Sequence, residues 1–200
     1  MPAISGRDFQ QRNDRMRTID HWNYAKRMVR PLHISKTEKL AFCLGCVMPD
    51  YNKFSYMGHH INDWSYGHSY AVRREEIVSF FGKAYRDSWL WWYTAGLRFH
   101  YLGDSFSRPH NPAFHYGSKE HVKYEWRLHH LTEKILRTRP FDPAPVTGSF
   151  GQWLSMRHKA YMRNSKGITD DAYYIDSTLM GAWNWVKEKV LPASATLVCS

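Results

Sequence analysis

The chain is poor in cysteine, in long apolar runs and in acidic residues, and each shortage excludes something. Three cysteines in 200 residues, Cys43, Cys46 and Cys199, are too few and odd in number for a disulfide framework. The CLGC pair is half of a structural zinc set, so Cys43 and Cys46 read as small buried residues beside Gly45. No uncharged stretch approaches the roughly 20 residues that a membrane span needs. The opening MPAISGRDFQQRNDRMRTID is polar and has no apolar h-region, which argues against a secretory signal and for a cytoplasmic location. No β-alternation and no internal repeat occur. Against 28 Lys+Arg stand only 18 Asp+Glu, a formal charge of +10 that suits phosphate esters, an anionic membrane surface or nucleic acid.

What the chain has in quantity is aromatics and histidine. Nine Trp and thirteen Tyr exclude a disordered polymer, and the length suits one domain with a sizeable core. Past a polar N-terminal extension, residues 1–20, helical signals follow one another. HWNYAKRMVRPLH predicts a helix ending near Arg30 because Pro31 opposes continuation. A second starts near Thr37 and runs into GCVMPD, where Gly45 and Pro49 act as punctuation. Residues 51–70 lack a helical period and read as a long aromatic loop. Helices are expected over 73–85, 88–105, 118–139, 149–164 and 169–190, the last capped by Thr169, with a proline-rich loop over 140–149. Residues 193–200 read as a frayed tail. The predicted fold is all-α.

The stretch FHYLGDSFSRPHN, Phe99–Asn111, carries the chemistry. His100 and Asp104 are four apart and share a helix face, as do His121 and Glu125 on a later helix. His110 follows after a proline turn. A lone HxxxD or HxxxE is most often a surface pair. Here the first pair lies on the most apolar helix of the chain, where a carboxylate must be paired or metal-bound to offset desolvation. Imidazole and carboxylate without thiolate are the donors of catalytic rather than closed zinc sites.

The run GLRFHYLGDSFSRPHNPAFHYGSKEHVKYE resembles the metal-binding core of bacterial zinc-dependent phospholipases C, and LGCVMPDYNKFSYMGHH resembles their PDY segment. TDDAYY is similar to their closing helix, so the likeness spans about His21 to Val190. It implies an all-α multi-helix bundle of the zinc phospholipase C and zinc nuclease type, with residues 21–192 as the catalytic domain. It also implies a ligand set. Asp50, His59, His100 and Asp104 would hold one zinc, with His60 and His68 competing for the place of His59. His110, His121 and Glu125 would hold a second. His21 with Asp104 corresponds to a third site, which in the secreted enzymes also uses the amino group of an N-terminal tryptophan. Trp22 is internal here, so that site is weakened, absent or completed by another group.

The activity so implied is phospholipase C-type cleavage of a phospholipid into diacylglycerol and a phosphorylated head group by a dizinc-activated hydroxide. Asp50 would be the general base. Tyr51, Tyr56, Trp64 and Tyr66 would form an aromatic wall for substrate, and Arg73, Arg74 and Arg108 are candidates for phosphate capture. The alternatives are a single-strand nuclease on the same scaffold, which basic charge and aromatics also suit, or a non-catalytic metal-stabilised binding domain.

Overall fold

The computed structural model describes residues 6–52, 66–111, 113, 118–138 and 140–196. Every regular element among them is helical: α1 Gly6–Val29, α2 Lys36–Tyr51, α3 Tyr70–Phe81, α4 Trp89–Asp104, α5 Ser118–Arg137, α6 Phe150–Asn164, α7 Ile168–Lys189 and the short α8 Ala193–Thr196. Two 3-10 turns, Tyr66–His68 and Arg108–His110, precede α3 and follow α4. The all-α expectation holds.

Helix α1 starts at Gly6, well upstream of the expected start at His21, so the polar residues before His21 continue the same helix. Helix α2 is capped by Ser35 rather than Thr37. The Ser35 hydroxyl accepts from Glu38 N, and the Glu38 carboxylate accepts from Ser35 N at 2.8 Å. It then runs through Gly45 and Pro49 to Tyr51. Helix α7 is capped at Gly167, two residues before Thr169. The tail is held as far as α8: Ala195 is buried and its carbonyl accepts from His33 N at 3.0 Å.

The centre of the bundle is the pairing of α2 with α4. Trp92 Nε1 donates to Glu38 at 3.0 Å, and His100 Nδ1 donates to the Cys46 carbonyl at 2.9 Å, so the two helices run side by side in the same direction. Glycine permits the approach. A Cβ on Gly45 would lie 2.0 Å from the Tyr93 carbonyl oxygen, and one on Gly96 would lie 2.2 Å from that of Phe42. Phe42, Phe99 and Trp183 meet with centroids 5.3–5.7 Å apart and tie α7 onto the pair. Burying each such ring stabilises by roughly 1.5–3 kcal/mol. Cys43 and Cys46 are both buried on α2, as expected of small core residues. One consequence governs function: the parallel pair brings its two C-terminal carboxylates, Asp50 and Asp104, to the same end of the molecule.

Candidate metal centre

At that end, side chains from six segments gather around Asp104, which is buried. Its Oδ2 lies 2.8 Å from His68 Nδ1 and 3.1 Å from His100 Nε2, and those two nitrogens are 3.1 Å apart. Its Oδ1 lies 3.1 Å from His21 Nε2. Asp50 Oδ1 is 3.6 Å from His100 Nε2. His110 Nε2 sits 3.9 Å from Asp104 Oδ2 and equally far from Glu125 Oε1, while His121 and Glu125 touch directly across one turn of α5. The donor atoms of His21–His100–Asp104, Asp50–His68–His100, His68–Asp104–His110 and His110–His121–Glu125 each form a group compact enough for one ion.

The donor chemistry fits a cation. A carbonyl can only accept, so the bond to Cys46 makes His100 Nδ1 the donor, and Nε2 is the nitrogen left to take a cation once its proton is displaced. That nitrogen forms a triangle with Asp104 Oδ2 and His68 Nδ1, with sides of 2.8–3.1 Å, and Asp50 Oδ1 lies 3.6 Å away. Burial, set against the Asp104 hydrogen bond, lowers the His68 pKa to about 4, which keeps that ring in its neutral, ligating form. At His100 burial also works against charge, but the Asp104 and Asp50 carboxylates outweigh it and raise the pKa. The residues fit zinc.

The profile of the family described as zinc dependent phospholipase C matches residues 20–168. The chain belongs to the zinc-dependent phospholipase C family. Neither a curated protein nor a solved structure matches it. Membership supports a zinc phosphodiesterase role of the phospholipase type, and the clusters above supply the donors such a role requires. No described helix is long and apolar enough to cross a membrane.

Of the ligand positions implied by likeness to the phospholipases, the structure brings together His21, Asp50, His100, Asp104, His110, His121 and Glu125. His59 and His60 lie outside the described residues, as do Tyr56 and Trp64. The histidine that joins Asp50 and His100 is His68, completely buried. It reaches the cluster from a 3-10 turn just before Ser69, the N-cap of α3. The backbone of Tyr66 lies in that turn, and Tyr51 is exposed at the end of α2. The three arginines considered for phosphate have structural partners. Arg73 donates to the Gly67 carbonyl at 2.6 Å, covers the Tyr101 ring and so braces the turn that carries His68. Arg74 donates to Ser155 Oγ, and Arg108 to the Ser165 carbonyl.

Two supports were not visible in the sequence. Thr18, one turn before His21 on α1, donates its hydroxyl to Asp50 Oδ2 at 2.9 Å, leaving Oδ1 turned towards His100. Asp171 on α7, fully buried, accepts from the Arg108 backbone N–H at 2.7 Å, from the Tyr124 hydroxyl at 2.8 Å and from Ser165 Oγ at 2.8 Å. Burial raises its pKa against the pull of those donors. It thereby fixes the turn bearing His110 and the helix turn bearing Glu125. In the sequence, only the nearness of Thr18 to His21 and the place of Asp171 in TDDAYY hint at either role.

Proposed function

We propose that this chain is a phospholipase C-type hydrolase that cleaves the phosphodiester of a phospholipid into diacylglycerol and a phosphorylated head group. The observation that carries the reading is the convergence of His68 Nδ1, His100 Nε2 and Asp104 Oδ2 within 3.1 Å of one another, with Asp50 alongside. Held there, zinc would neutralise phosphate charge and lower the pKa of water from about 15.7 towards 7. One group would rest on Asp50, His68, His100 and Asp104, a second on His110, His121 and Glu125, and His21 with Asp104 offers a further position. Asp50 then acts as the base. Thr18 fixes one carboxylate oxygen, and the other takes the proton of the water that attacks phosphorus and passes it to the glycerol oxygen as its bond to phosphorus breaks, which releases the diacylglycerol as an alcohol and frees Asp50.

An exposed apolar strip that runs along α2 to the site supports a lipid over a nucleic acid. Apart from its first turn, the exposed residues of α2 are Leu40, Leu44, Met48 and Tyr51, at helical spacing and leading to Asp50. Trp89 and Leu90, more than half exposed, open the adjacent α4. Lys36, Lys39, Lys83 and Arg86 lie at that same N-terminal end of the pair, away from Asp50 and Asp104. An apolar strip with a cationic end suits an anionic membrane surface. The net charge of +10 favours the nuclease alternative equally, so the substrates decide.

The zinc-loaded protein is expected to turn over short-chain phosphatidylcholine and to lose that activity on adding a chelator. Turnover of single-stranded DNA with none of lipid would transfer the assignment to the nuclease. Failure on lipid, DNA and a choline phosphodiester alike would leave a metal-stabilised binding domain. Asp50→Asn should keep most of the bound zinc yet lower kcat about 100-fold or more. An unchanged kcat removes Asp50 from the chemistry.

A further inference from the structure

Helix α5 carries the HxxxE spacing twice, as His121–Glu125 and again two turns on as His129–Glu133. The second pair lies outside the centre described above and has its own surroundings. His129 is buried, Glu133 half-buried and the neighbouring His130 exposed. One donor atom from each falls within 4.8 Å of the other two. His129 Nδ1 meets the Asp20 carboxylate of α1 at 2.8 Å, and its Nε2 points to Glu133 Oε2 at 4.0 Å. The other Glu133 oxygen, Oε1, is taken by Arg137 at 3.3 Å, which leaves Oε2 to face the histidine. The His130 ring stands edge-on to Trp126, with centroids 4.2 Å apart.

A carboxylate accepting from one imidazole nitrogen sets the tautomer and presents the other nitrogen as a lone pair, the usual outer arrangement behind a metal-bound histidine. Two imidazoles and one carboxylate with a face open to solvent are three protein donors plus a free position, which suits zinc better than calcium or magnesium. We propose that His129, His130 and Glu133, backed by Asp20, form an accessory zinc site on the surface of α5. Its position has a consequence for the main centre. Asp20 precedes His21 on α1, so an ion at His129 fastens α5 to the part of α1 that presents His21 to Asp104.

The inference stands apart from the choice of substrate and is read by metal content rather than turnover. Equilibrium dialysis of the full chain against excess zinc, with bound metal counted by atomic emission, is expected to give one equivalent more for the unsubstituted chain than for Glu133→Gln or His130→Ala. Both side chains reach solvent, so both variants should keep the native circular dichroism. Asp20→Asn should retain that equivalent but bind it about 10–100-fold more weakly. Equal zinc counts in the unsubstituted chain, Glu133→Gln and His130→Ala would overturn the site while leaving the buried centre intact. A chain whose entire zinc content disappears in Glu133→Gln would uphold this site and sink the buried one.

Discussion

Asp104→Asn is expected to lower turnover by about 10³-fold and to remove zinc from the buried centre, because among the described residues no other side chain meets so many candidate ligands at once. One oxygen faces His21, and the other faces His68, His100 and, farther off, His110. An asparagine of the same shape must offer an NH2 group on one of those sides, and an N–H cannot share a cation with an imidazole lone pair. It also removes the negative charge that offsets bringing cations among buried rings. Zinc per chain and kcat at saturating zinc together test this. A variant that holds its full zinc and stays within about tenfold of the parent would place Asp104 outside the centre.

The second large effect lies in a residue with no functional group. Gly45→Ala places a methyl 2.0 Å from the Tyr93 carbonyl oxygen, and a backbone atom cannot step aside as a side chain tip can. Overpacking of this kind costs about 3 kcal/mol, which for a chain of this size lowers Tm by about 10 °C. The loss should reach the chemistry as well. Pushing α2 from α4 separates Asp50 from His100 and pulls the Cys46 carbonyl off His100 Nδ1, so zinc affinity should fall alongside Tm. Gly167→Ala is the control. Its Cβ would meet nothing within 4 Å and its φ of 178° is ordinary extended backbone, so at most a cap preference of about 1 kcal/mol is lost. Calorimetry showing equal Tm for the two variants would refute the close-approach account.

Where local chemistry decided the structure, the sequence was readable. Helices α4 to α7 appear within about two residues of the expected spans, and α3 sits three to four residues earlier than expected, since proline, serine caps and apolar spacing act over one or two turns. Gly45 and Pro49 misled because their local meaning yields to a tertiary one. Gly45 is small so that α4 can approach, and Pro49 sits in the last turn of α2, where the N–H it lacks leaves only the Gly45 carbonyl without its helical partner. The start of α1 carries no apolar stripe to announce it. His100 with Asp104 and His121 with Glu125 could be paired in the sequence because residues four apart on a helix declare their own geometry, and His110 follows the first pair after a short proline turn. Which of His59, His60 and His68 approaches Asp50 depends on how the chain between α2 and α3 travels, and no spacing rule sets that path. His68 is the one the described residues place there. Thr18 and Asp171 act across helices and leave no periodic trace.

The stretch related to the zinc-dependent phospholipases C ends at residue 168, the first residue of α7. Asp171 lies just beyond it and ties down the Arg108 backbone and the Tyr124 hydroxyl, while Tyr174 stacks on Phe106 at 6.2 Å. The profile match therefore stops short of where folding does. A fragment trimmed to the shared stretch would keep every proposed ligand yet lose the clasp that holds His110 and Glu125 at their stations, so the smallest unit expected to keep the centre intact includes α7.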